Sequence, residues 1–145
     1  MKIQEQDRYH GAALTQITEH ESFKALNRGS DRYGHYLINT DRHVFVKYRK
    51  TGDTSWNHTV SMDELKALAT ACKKHDLVWL CLVCGDVTIC ALNRAEIMAV
   101  VDLNATNQQW IKVEAPKGAG CRVSGSIGAV RNVIPHKAFP EKLFA

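Results

Sequence analysis

The sequence lacks an apolar run long enough to cross a bilayer. The longest, Leu77 to Cys84, falls far short of the about 20 residues that a spanning helix needs. The start, Met1-Lys2-Ile3-Gln4-Glu5-Gln6-Asp7, is polar and has none of the apolar stretch of a signal peptide. These absences predict a soluble, cytoplasmic protein with no membrane contact. Internal repeats, low-complexity segments and linkers are missing too, so residues 1–145 are expected to form a single domain.

The common catalytic motifs are also missing. The seven histidines are scattered, with no H-E-x-x-H and no i, i+4 pair. No P-loop is present. Gly118-Ala119-Gly120 lacks the last glycine of a dinucleotide fingerprint and precedes a strand instead of a helix. Ser124-Gly125-Ser126-Ile127-Gly128 is not a nucleophile elbow, which needs G-x-S-x-G between a strand and a helix. Five cysteines, an odd number, suit a reducing compartment. Cys81, Cys84 and Cys90 lie in apolar strand-like runs, where cysteine serves as a small buried hydrophobe. Cys81 and Cys84 form C-x-x-C, but residues three apart on a strand face opposite sides, so no metal or redox site is expected there. Cys121, beside Arg122, is a conceivable nucleophile for which the sequence offers no partner histidine.

What is present is an ordinary globular composition, 45% hydrophobic, with a net charge of +4. That excess permits contact with phosphate or an acidic partner without demanding it. The periodicities predict an α+β fold. An N-terminal helix spans Gly11 to Asn27, with Leu14, Ile17, Phe23 and Leu26 as its stripe. Strands His35 to Ile38, His43 to Lys50 and Ser55 to Val60 follow as a three-stranded antiparallel meander. Ser61-Met62-Asp63-Glu64 is a capping box that launches a helix to about Lys74. Leu77 to Cys84 and Val87 to Leu92 are apolar central strands, and Asn93 caps a short helix to about Val101. Trp110 to Glu114 and Cys121 to Ser124 make a C-terminal β-hairpin. The Gly-rich segment 117–128 has no assigned role.

The strand His43-Val44-Phe45-Val46-Lys47-Tyr48-Arg49-Lys50 has two unlike faces. By alternation Val44, Val46 and Tyr48 form a core face, and His43, Phe45, Lys47 and Arg49 a basic face holding one aromatic. Arg42 and Lys50 flank it, and Trp56 and His58 follow on the next strand. Positive charge attracts phosphate, and exposed aromatics stack on bases. Arg42, His43, Lys47, Arg49, Lys50, Trp56 and His58 are therefore the candidate nucleic-acid contacts. Trp56 reads as a core residue ahead of a stacking platform, because its neighbours alternate polar with apolar poorly.

Over about Gly11 to Leu92 the order helix, three strands, helix, apolar strand and further strand resembles the core of the PD-(D/E)xK nuclease-like superfamily. The resemblance implies an Asp near one strand and an acid-x-Lys on the next. The carboxylates hold a divalent metal such as magnesium, and the Lys positions the attacking water and stabilises charge on the phosphate. Asp31 matches the isolated Asp, and Lys47 matches the Lys with Val46 as x. The acid position falls on Phe45, which binds no metal. Glu19, Glu21 or Asp53 would have to supply the missing carboxylate.

The resulting expectation is a non-catalytic, nuclease-like domain, without metal or other cofactor, that binds nucleic acid through the basic strand face. One alternative is a protein-interaction or accessory, immunity-type module, including a homodimer. The other is a metal-dependent nuclease using Asp31, Lys47 and Glu21 with magnesium.

Overall fold

A computed structural model describes residues Met1–Ala145. Its first element, α1 (Glu5–Thr18), begins and ends earlier than the Gly11 to Asn27 helix expected from the sequence. The stripe that decides its position is Tyr9, Ala13 and Ile17, spaced four apart and buried, with His10 beside it. The Asp7 carboxylate accepts a hydrogen bond from the Gln4 amide at 2.8 Å and starts the helix. Leu26, the last residue of the expected helical stripe, instead opens a short edge strand, β1 (Leu26–Arg28).

β1, β2 (His35–Ile38) and β3 (Arg42–Arg49) form an antiparallel meander, with Leu26 opposite Ile38 and Tyr36 opposite Val44. Asn39, Thr40 and Asp41 make the tight turn between β2 and β3, with Asn39 and Thr40 both at positive φ, the left-handed backbone that reverses a chain tightly. Asn39 also accepts from the Lys24 and Ala25 amides and donates to the Ser22 carbonyl. That anchors the segment after α1 to the hairpin.

The fold is α+β, as the sequence predicts, but the membership of the meander differs. β4 (Ser55–Val60) does not continue it. β4 pairs with β7 (Gln109–Glu114), and β7 pairs with β8 (Arg122–Gly125), in a separate antiparallel sheet ordered β4-β7-β8. The edge of β3 is taken by β5 (Val78–Cys84), which runs parallel to it from His43 opposite Val78 to Arg49 opposite Cys84. Between β4 and β5 the crossover is α2 (Met62–Lys74), the connection that parallel neighbours require. Ser61 and Glu64 close the expected capping box at its start. β6 (Thr88–Asn93) completes the larger sheet, ordered β1-β2-β3-β5-β6, and Asn93 caps α3 (Arg94–Val100).

Every residue of β5 is buried, because apolar clusters cover both faces of its sheet. Val44, Val46, Cys81 and Val83 pack with Tyr9, Ala13 and Ile17 of α1 and with Phe139 and Leu143 of the C-terminal segment. On the other face Phe45, Leu80 and Leu82 pack with Leu65 and Leu68 of α2, Ile97 of α3, and Trp56 and Ile111 of the smaller sheet. Gly125 stands where β8 crosses α3, since a Cβ there would run into the Val100 carbonyl. No helix is long and apolar enough to cross a membrane.

Candidate nucleic-acid interface

Strand alternation sets the two faces of β3 as expected, but neither face is open. Val44 and Val46 sit under α1, and Phe45 sits under α2. The parallel crossover lays α2 over the face that carries His43 and Lys47. There the Lys47 ammonium donates to Glu64 Oε2 at 2.7 Å, with the two side chains only 19% and 30% exposed. Glu64 Oε1 accepts from the Ser61 amide at 3.1 Å. Burial works against the Glu64 charge, but the hydrogen bond and charge of Lys47 and the Ser61 bonds outweigh it and hold the carboxyl below its ordinary range. Arg32, Tyr33, Phe45, Lys47 and Glu64 enclose a cavity of about 60 Å³, room for a few waters and no nucleotide.

His43 belongs to a row of three imidazoles. Its ring stacks on His75, at the end of α2, with centroids 3.9 Å apart, and its Nδ1 lies 3.1 Å from His35 Nε2. His35 in turn stacks on Phe45 at 4.1 Å. Burial pushes His35 down to about 4, and the charges of His43, His75 and Arg32 push the same way. Burial and His75 lower His43 too. Burial therefore disfavours the charged forms of His35 and His43 on this face.

Three expectations about the site are corrected by burial. Trp56 and His58 are 0% and 1% exposed, because Trp56, His58 and Val60 form the inner face of the smaller sheet. They offer no stacking platform. His58 Nε2 lies 3.6 Å from Cys84 Sγ, and burial, followed by the nearby charges of Lys47 and Arg49, drives its pKa down to about 3. Lys47 is a half-buried partner of Glu64 and not a free phosphate contact. Of the remaining residues, Arg42 donates to the Leu143 carbonyl at 2.7 Å and to Asp41 at 2.6 Å, which pins the C-terminal segment. Lys50 pairs with Glu5 at 3.1 Å. Arg49 is exposed.

The residues present do not fit the divalent ion of an active nuclease. Phe45 fills the acid position within the core, and Lys47 is already bound to Glu64. Asp31 and Glu21 are exposed, one in the loop before β2 and the other in the turn after α1. No three His, Cys, Asp or Glu side chains converge so as to hold a metal. Glu64 is the acid that sequence reasoning missed. Its signal is the capping box, whose acid reads as serving the helix alone.

A more accessible surface lies elsewhere. Between the end of α2 and α3 runs a cavity of about 590 Å³ lined by Lys73, Lys74, Arg94, Met98 and Leu103. Asp102, Asn104 and Ile127 are shared with a neighbouring cavity of about 560 Å³ that reaches Trp110. The two form one groove, with cations at one end and an indole at the other. Met98, Trp110 and Ile127 stand 43%, 41% and 56% exposed in it. Arg94 is oriented by donating to the Cys72 carbonyl at 2.8 Å. Ser126 Oγ accepts from the Trp110 amide at 2.9 Å and fixes the strand that presents the indole. Alternation in Trp110-Ile111-Lys112-Val113-Glu114 is the available signal. It puts Trp110 on the polar side with Lys112 and Glu114, while Ile111 and Val113 are buried.

No family model, curated protein or solved structure matches the chain.

Proposed function

We propose that the chain is a non-catalytic, nuclease-like domain that binds single-stranded nucleic acid in the groove between Lys73, Lys74 and Arg94 at one end and Trp110 at the other. The arrangement of α1, the meander β1 to β3, the crossover α2 and a β5 parallel to β3 supports the nuclease-like part of this reading. The Lys47–Glu64 pair supports loss of cleavage, since the lysine that would act on phosphate is neutralised and covered. The observation that carries the binding reading is the groove itself. It joins three cations to the exposed indole through a polar loop. Cations draw in phosphate and an indole face stacks on any base, which gives affinity with little sequence preference.

The test is anisotropy of a short labelled single strand titrated with the chain at several salt concentrations. Binding should weaken linearly in log salt, and Lys73→Glu with Lys74→Glu should flatten the slope by about 0.7 for each phosphate that is no longer neutralised. No binding at low salt overturns the proposal.

A protein partner is the second reading, favoured by Met98 and Ile127 standing exposed together. Its homodimeric version requires the chain to scatter light as a dimer, and a strict monomer removes that version.

A further inference from the structure

The nucleic-acid groove lies on the α2 and α3 side of the larger sheet. A separate cavity of about 570 Å³ opens on the α1 side, between that helix, the turn joining β5 to β6, and the C-terminal segment. Its volume falls within the range of small-molecule sites, roughly 300–1,000 Å³. Arg8, Ala12 and Gln16 line it from α1. They are four apart in sequence and so form one row along the helix. Asp86 and Thr88 line it from the hairpin. Val83, Ile89 and Phe139, all buried, supply its apolar lining.

Two unlike charges border this cavity without meeting. The Arg8 guanidinium lies 5.9 Å from the centroid of the Tyr9 ring. Neither Arg8 nor Asp86 joins any ion pair of the chain, and both are exposed. Strand register places them along the cavity. Tyr9 stacks on Tyr48 at 4.7 Å, and Tyr48 is opposite Val83 near the end of β5. The first turns of α1 therefore lie over the end of β5, where Gly85 and Asp86 reverse the chain. Arg8 and Asp86 thus share one end of the cavity, and Ala12 and Gln16 continue the helix wall away from it.

Thr88 adds a second acceptor beside Asp86. Its Oγ1 lies 2.7 Å from His136 Nδ1, and His136 Nε2 lies 2.7 Å from the Ala119 carbonyl oxygen. A carbonyl oxygen only accepts, so in the neutral ring Nε2 carries the hydrogen and Nδ1 accepts from the Thr88 hydroxyl. That commits the hydroxyl hydrogen and leaves the Thr88 oxygen free to accept. The helix side of the cavity therefore offers a guanidinium donor. The hairpin side offers a carboxylate and a hydroxyl acceptor.

We propose that this cavity binds a free α-amino acid with a large apolar side chain, its carboxylate on Arg8 and its ammonium between Asp86 and Thr88. An α-amino acid carries both charges on one carbon, which suits a cation and an anion at one end of a cavity. The guanidinium presents a planar fork of donors that matches a carboxylate. Asp86 and Thr88 accept two of the three ammonium hydrogens. The side chain runs past Ala12 onto Val83, Ile89 and Phe139, and the small Ala12 leaves that path open. A plain carboxylic acid would bring its charge beside Asp86 with no ammonium between them. A plain amine would do the same to Arg8.

The test is an amide chemical-shift titration of the full, isotope-labelled chain, with L-phenylalanine as the probe. Amides of Arg8 to Gln16 and of Gly85 to Ile89 should shift, and those of Trp110 and Ser126 should not. Phenylpropanoate, which lacks the ammonium, and phenethylamine, which lacks the carboxylate, should each bind at least about tenfold more weakly, the loss of one charge-assisted contact. Arg8→Gln and Asp86→Asn should each weaken phenylalanine binding by about the same factor. Ala12→Phe should fill the cavity and abolish binding. The two analogues are read on the wild-type chain, so the folding of a variant does not decide the outcome. No shift at about 10 mM phenylalanine, shifts confined to other residues, or either analogue binding as tightly as phenylalanine overturns the proposal. Wild-type affinity in folded Arg8→Gln or Asp86→Asn overturns it as well.

Discussion

The Lys47 ammonium and the Glu64 carboxylate meet at 2.7 Å where α2 crosses β3. The same carboxylate holds the Ser61 amide at the start of the helix. One side chain thus closes the basic face of the strand and starts the element that covers it. The two ends of the pair are not equivalent, because Glu64 has a second partner and Lys47 has an apolar stem that packs on its own.

Glu64→Ala should therefore cost more than Lys47→Met. The first leaves a half-buried ammonium and a helix-start amide unpaired, a loss of about 3 kcal/mol. The second keeps the packing and leaves Glu64 its Ser61 bonds, a loss of about 1 kcal/mol. Urea denaturation of both variants measures the difference. Equal losses contradict the asymmetry.

Trp56 and Trp110 should separate stability from binding. Trp56 is fully buried, with Gly52 and Gly85 packed on its ring, so Trp56→Ala should cost about 3–5 kcal/mol. Trp110→Ala should cost under about 1 kcal/mol of stability and weaken binding of a single strand by about 1–3 kcal/mol. Thermal melts and anisotropy on the same two variants read both quantities. A stable Trp56→Ala with impaired binding would restore the strand face as the contact surface.

Acid should destabilise the fold before most carboxylates titrate. His35 is depressed to about 4 and His58 to about 3, and His10 and His43 are lowered as well, burial being the largest cause in each. A folded pKa below the unfolded value near 6.5 means that the unfolded chain binds protons first as pH falls. The stability these residues contribute is complete above about 6.5 and is lost as pH falls from there toward 4 and then 3. Melting midpoints at pH 7 and pH 5 check this, with a lower midpoint at pH 5. A flat profile between them contradicts the buried, neutral state of these rings.

Local chemistry was legible in the sequence and long-range pairing was not. Ser61 with Glu64 and Asn93 with Glu96 carry their helix starts within four residues, and the uniform burial of β5 follows from its unbroken apolar run. The start of α1 is obscured because the stripe Tyr9, Ala13, Ile17 competes with an out-of-phase run through Phe23 and Leu26. The departure of β4 to a second sheet depends on β7, which lies far along the chain. Once β5 takes the edge of β3, the strict alternation of Trp56, His58 and Val60 reads as an inner face. The closing of the basic face has the same origin, since the parallel crossover is what lays Glu64 over Lys47. The groove was hidden because Lys73, Arg94, Trp110 and Ile127 come from four separate elements.

Intrinsic fluorescence tests the central claim most directly. Trp56 and Trp79 are 0% and 6% exposed and Trp110 is 41% exposed, so a base that stacks in the groove reports through Trp110 alone. Titration with a short single strand at low salt should quench the emission. Added salt should reverse the quenching, and Trp110→Phe should lack it. Binding with no change in emission, or with the same change in Trp110→Phe as in the wild type, would contradict the placement of nucleic acid in this groove.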